Sequence, residues 1–124
     1  MNWREMDLFR GIDLNDSFVL GWHSEDDRLF FDLEMSVWPE SEYYHAPKEG
    51  EYTCYRRGTL IFEGVKSVKG LLPMAEARSS SDASGEADYG NIDTLVIRPG
   101  SAQIIGDFGS VEIVGGTCAL SIST

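Results

Sequence analysis

Positive charge is scarce in this sequence. Ten lysines and arginines stand against 21 aspartates and glutamates, a formal net charge of −11, and none of the ten lies beyond Arg98. Such an excess repels phosphate backbones and anionic lipid headgroups, so neither nucleic acid nor a membrane surface is an expected partner. It attracts a basic one. Long apolar runs are missing as well: no window approaches the ~18 consecutive apolar residues of a membrane-spanning helix. The opening MNWREMDLFRGIDL has neither the basic segment nor the apolar stretch of a secretory signal, which predicts a cytoplasmic location.

Cysteine is limited to Cys54 and Cys118. In a cytoplasmic chain two reduced, packed thiols are expected rather than a disulfide. Neither thiol stands in C-x2-C spacing, and His23 and His45 do not pair at H-x3-H, so no metal centre is predicted. The chain also lacks G-x-S-x-G, G-x-x-x-x-G-K-[ST] and G-x-G-x-x-G. A serine elbow and the phosphate cradles are therefore unsupported, and no cofactor is predicted.

What is abundant is glycine and the rhythm of strands. Thirteen glycines in 124 residues exceed the usual share of about 7% and imply many tight turns. From Leu29 to Trp38 the pattern alternates. Leu29, Phe31, Leu33, Met35 and Val37 point one way, and Phe30, Asp32, Glu34, Ser36 and Trp38 the other. Upstream, Phe18, Leu20 and Trp22 are expected to share a face. The intervening SEDDR supplies an acidic turn and hence a hairpin. Gly58 suggests a bulge or bend within YTCYRRGTLIFEGV. Pro99-Gly100 stops one strand, and Gly115-Gly116 is expected to close a hairpin between SVEIV and TCALSIST.

Helix is nearly absent from the pattern. Residues 2–10, with Asn2 as cap and Glu5 three positions on, predict one short helix carrying Trp3, Met6 and Phe9 on a stripe. Residues 78–91, rich in serine, glycine, alanine and aspartate, read as a flexible internal loop. The whole predicts a mainly β, single-domain protein over 1–124. Its form is an antiparallel β-sandwich or flattened barrel of about seven or eight strands with a short N-terminal helix.

The densest chemistry lies in YYHAPKEGEYTCYRRG, residues 43–58. Tyrosine and arginine are enriched at protein–protein hot spots. Phe30, Trp38, Tyr43, Tyr44 and Arg56 therefore form the candidate binding patch, with Asp26, Asp27, Glu40 and Glu42 as an acidic surround that sets a salt-sensitive on-rate. The competing reading covers the aromatic face with the N-terminal helix as a second buried layer. A structural homodimer through that face is a further alternative.

A small ligand-binding or hydrolytic domain would use His45, Cys54 and Tyr55, with Arg56 and Arg57 lowering the thiol pKa. Asp32 and Glu34 could serve glycoside chemistry, although a solvated strand face is the commoner use of such a pair. Asp82, Glu86, Asp88, Asn91 and Asp93 are rich in oxygen but miss the order of a calcium loop.

At GIDLNDSFVLGWH, LFFDLEMSVWPE, YRRGTLIFEGVKSV and GDFGSVEIVGGTCALSI the chain resembles a group of small bacterial β-rich domains. Some of these are immunity proteins of polymorphic toxin systems. The resemblance implies a non-enzymatic, single-domain cytoplasmic protein that binds another protein, and it carries no catalytic motif to transfer.

Overall fold

The structure is a computed structural model that describes residues 1–46, 54–77, 79–81 and 87–122. Its strands run in chain order as β1 (Ile12–Glu25), β2 (Arg28–Val37), β3 (Cys54–Glu63), β4 (Ser67–Leu71), β5 (Ser80–Ser81), β6 (Ala87–Asp88), β7 (Ile92–Arg98), β8 (Ser101–Gly106), β9 (Gly109–Val114) and β10 (Thr117–Ile122). Two four-stranded antiparallel sheets result, ordered β1-β2-β3-β10 and β4-β9-β8-β7, with β5 and β6 as a small separate pair. The architecture is sandwich-like and not a closed barrel. No helix among the described residues is long and apolar enough to cross a membrane.

The alternation read in β2 holds from Leu29 to Met35, after which Ser36 is buried as well. Leu29, Phe31, Leu33, Met35 and Val37 are buried against the second sheet, while Phe30, Asp32 and Glu34 remain half-buried on the outer face. From the second sheet come Ile92, Leu95, Ile104, Val111 and Ile113. Phe108, folded inward from the turn between β8 and β9, is fully buried and packs on Phe31 at 5.2 Å and Trp22 at 5.9 Å. Burying an aromatic of this kind stabilises by about 1.5–3 kcal/mol, with ~1 kcal/mol more from edge-to-face pairing.

Strand β1 departs from its expected phase. Phe18 and Leu20 are half-buried, whereas Val19 and Trp22 lie in the core. The pairing with β2 slips between Val19 and Gly21, and the extra residue flips the face on which later side chains project. A larger irregularity lies between Asp13 and Phe18. There the Ser17 hydroxyl donates to the Asp13 carbonyl at 2.6 Å and accepts from the buried Ser36 amide at 3.0 Å, replacing a lost ladder bond. Asn15 Nδ2 donates to the Ile92 carbonyl at 2.8 Å, and Asn91 Nδ2 donates to the Ser17 carbonyl at 2.9 Å. Backbone bonds join Val19 to Tyr89 and Gly90. This stitching closes one side of the sandwich.

The opposite side is a bent ribbon. Strand β3 pairs with β10 in the first sheet, and β4 pairs with β9 in the second. The chain therefore crosses between sheets twice, after Glu63 and again through Gly115-Gly116. The expected hairpin of β9 on β10 is replaced by this crossing. Both glycines do take positive φ, +89° and +81°, as their sequence implies. At Gly116 a Cβ would stand 1.7 Å from the Glu63 carbonyl oxygen, so only glycine lets the two crossings lie side by side.

Two further expectations are revised. Residues 2–10 form two 3-10 turns, Trp3–Glu5 and Asp7–Phe9, instead of one helix. The Asn2–Glu5 capping box is present. A segment this short cannot sustain an α-helix alone, and an extended Met6 lets Trp3 and Phe9 both enter the core, edge to face at 6.4 Å. These aromatics plug the space between the sheets and do not roof the outer face. Gly58 makes neither bulge nor bend, since pairing runs unbroken on both sides of it. Its place is a close approach, where a Cβ would meet Met35 Cε at 2.3 Å. Of the segment 78–91, residues 78 and 82–86 lie outside the described residues, while Ser80–Ser81 and Ala87–Asp88 pair as β5 and β6.

Candidate functional site

The residues singled out in the sequence separate into two groups at opposite ends of β2. Asp26 and Asp27 form the exposed tip of the β1–β2 hairpin, with Asp26 at φ +53°. Phe30 lies near that tip, half-buried and stacked on His23 at 4.6 Å with planes 8° apart. Trp38, 47% exposed, follows β2 at its other end, about 26 Å away at ~3.3 Å per residue. Glu40, Glu42, Tyr43 and Tyr44 are grouped with Trp38 in the segment after β2. Arg56 joins them, its guanidinium donating to the Tyr43 carbonyl at 3.2 Å.

Glu40, Glu42 and Tyr43 of the second group border a groove of about 440 Å³ at the margin of the first sheet. Leu8 and Ile12 from the N-terminal region and Leu120 and Ile122 from β10 give it an apolar lining, with Tyr43 beside them. Asp7, Glu40 and Glu42 are exposed around it, opposed among the described residues by a single basic residue, Arg10. A neighbouring depression of about 480 Å³ shares Asp7, Arg10, Ile12 and Glu40 and continues toward Trp38. The turn at Asp7–Phe9 stands between the two. An apolar floor under a mostly acidic rim suits a ligand that is itself apolar on one side and positively charged at its margins.

Of the thiol alternative, Cys54 and Tyr55 lie on opposite faces of β3. Cys54 is fully buried on the inner face of β3. Tyr55, next in the strand, points to the outer face and packs on Phe18 at 5.9 Å. His45 Nδ1 lies 2.9 Å from the Ala46 carbonyl. Cys118 sits on β10 opposite Phe62, and burial pushes its thiol up to about 12 from 9.0, so it stays protonated at neutral pH. Phe62 lies eight residues along β3 from Cys54, so about 26 Å of strand separates the two thiols, far beyond disulfide reach.

Asp32 accepts from the Thr59 hydroxyl at 3.2 Å on the outer face. Of the oxygen-rich set, Asp82 and Glu86 lie outside the described residues, Asp88 accepts from the Gly90 amide, and Asn91 serves the Ser17 carbonyl. No three histidine, cysteine or acidic side chains among the described residues are placed to share a metal ion.

Sequence reasoning missed Leu8, Ile12, Leu120 and Ile122 as a group. Leu8 and Ile122 are separated by almost the whole chain, and only the pairing of β10 with β3 brings them together. A signal was present in TCALSI itself, a strand without a charged residue. Comparison with protein-family models, curated proteins and solved structures gives no match.

Proposed function

We propose that this chain is a non-enzymatic protein-binding module of the immunity type, which captures a basic protein partner in the cytoplasm through the groove beside β10. The observation that carries this reading is the ring of exposed carboxylates, Asp7, Glu40 and Glu42, around a lining of Leu8, Ile12, Leu120 and Ile122. The net charge of −11 extends the same sign over the molecule and draws a cationic partner from a distance. The resemblance to small bacterial immunity domains points the same way. The rival thiol chemistry needs an accessible nucleophile with a base beside it, and Cys54 is enclosed on the face opposite Tyr55.

The test is co-expression with the product of the adjacent reading frame, followed by stopped-flow association of the purified pair. A toxic neighbour is expected to be neutralised in a stoichiometric complex. Its association rate is expected to fall roughly tenfold between about 0.05 and 0.5 M salt. Glu40→Lys combined with Glu42→Lys should slow association comparably without changing the fold. An association rate indifferent to both salt and charge reversal would contradict the proposal.

A further inference from the structure

The two sheets present four outer edges, and three of them are protected. Along β1, bulges, the bonds of Val19 to Tyr89 and Gly90, and the side chain of Asn15 occupy the edge. Along β7, Met1 and Asn2 pair with Ile97 and Val96. Along β4, exposed Lys69, a register slip before Leu71 and a following Pro73 blunt the strand. These are the usual devices by which proteins prevent unwanted strand pairing. Strand β10, TCALSI, has none of them. It carries no charge, no proline and no bulge, and no described strand pairs with its outer side.

The direction of its free groups follows from register. In β2 the amides of Ser36 and Trp38 donate toward the β1 side, to Ser17 Oγ and the Gly11 carbonyl. Backbone polarity alternates along a strand, so the odd-numbered residues of β2 face β3. Unbroken pairing of β2 with β3 and of β3 with β10 carries the alternation across the sheet. Thr117, Ala119 and Ser121 exchange bonds with β3. Cys118, Leu120 and Ile122 turn their amides and carbonyls outward. The side chains of Leu120 and Ile122 line the acidic groove. A strand added about 4.8 Å beyond β10 would thus bond to these outward groups and place every second side chain over the groove.

We infer that β10 is a strand-addition site: the partner supplies an extended segment that pairs with Cys118, Leu120 and Ile122, seats alternate apolar side chains in the groove, and sets lysine or arginine against Asp7, Glu40 and Glu42. This rests on the acidic-groove reading above and specifies its mode. Main-chain bonds supply affinity in such a complex, and the pockets for alternate side chains supply selectivity. The choice of a basic occupant over a second copy follows from charge, since two chains of −11 would repel each other across this edge.

The test uses an acetylated, amidated peptide of about six residues, the common strand length, with valine at alternate positions and lysine at both ends. Residue-resolved amide exchange of the full chain is measured with and without it. Binding is expected to slow exchange at Cys118, Leu120 and Ile122 by at least about tenfold, leaving Ala119 and Ser121 unchanged because they are already bonded to β3. A glutamate–valine peptide should give no protection, and Glu40→Lys with Glu42→Lys should abolish the effect of the lysine peptide.

No protection at millimolar peptide would overturn the inference, as would equal protection from the acidic peptide. Protection of the outward amides that grows with protein concentration in the absence of peptide would do the same, assigning the edge to a second copy. A partner complex that keeps its salt dependence while these amides stay unprotected sinks strand addition and leaves the proposed function standing. Loss of that salt dependence sinks the proposed function itself.

Discussion

Along β1 and β7 the sandwich is closed by redundant means, and along β10 it is left open among the described residues. At the closed side Ser17, Asn15 and Asn91 bridge the strands, and Trp22, Phe31 and Phe108 pack on one another in the core. At the open side two half-buried aliphatic residues, Leu120 and Ile122, look into a groove, with exposed carboxylates around it. The contrast teaches where stability and recognition reside. Groups with many fixed partners hold the fold. Groups with unused bonding capacity are available to a ligand, and substitutions should divide between the two sides accordingly.

The largest effect is expected at the closed side. Phe108→Ala removes a fully buried ring from the aromatic cluster and should lower unfolding free energy by about 3–5 kcal/mol, measured by urea denaturation. Ser17→Ala leaves the buried Ser36 amide without its acceptor and should cost about 1–3 kcal/mol in the same assay. If instead Ser17→Ala were neutral, the bulge would not be a point of closure and the contrast would weaken.

On β10 the next effect is nil at neutral pH and appears only in alkali. The folded thiol of Cys118 ionises near 12 and the unfolded one near 9.0, so the folded state holds its proton more tightly. The stability this gives is fully present below pH 9 and is lost as pH rises toward 12, by up to ~1.4 kcal/mol per unit. Replacing it, as in Cys118→Ala, should flatten the alkaline limb of a stability–pH curve relative to the parent chain. Smallest of all, Glu40→Gln with Glu42→Gln should shift stability by no more than about 0.5 kcal/mol while slowing capture of a basic partner. A large loss of stability there would mean that the rim serves the fold.

The two sides were not equally legible in sequence. Strand β2 declares itself because five apolar residues alternate without interruption and all five are buried. Strand β1 misleads because a bulge before Gly21 is a property of pairing, invisible in a single strand's pattern. Gly115-Gly116 signals positive φ correctly, yet local chemistry cannot say that the chain passes to the other sheet instead of turning back.

The candidate site shows the same division. Glu40, Glu42, Tyr43 and Arg56 were visible as a cluster of interface residue types close in sequence. Phe30, Asp26 and Asp27 were joined to them by residue type alone and stand at the far end of β2. The groove's apolar lining depends on a contact between the first and last parts of the chain, which no periodicity encodes. The absence of lysine and arginine after Arg98 was equally visible, but it gains meaning only once β10 is known to be an edge.

The openness of that edge can be measured directly in the free protein. Residue-resolved amide exchange across Thr117–Ile122 should alternate, fast at Cys118, Leu120 and Ile122 and slow at Ala119 and Ser121. Uniformly slow exchange along the strand would contradict the account, because it would mean the outer side of β10 already has its partner.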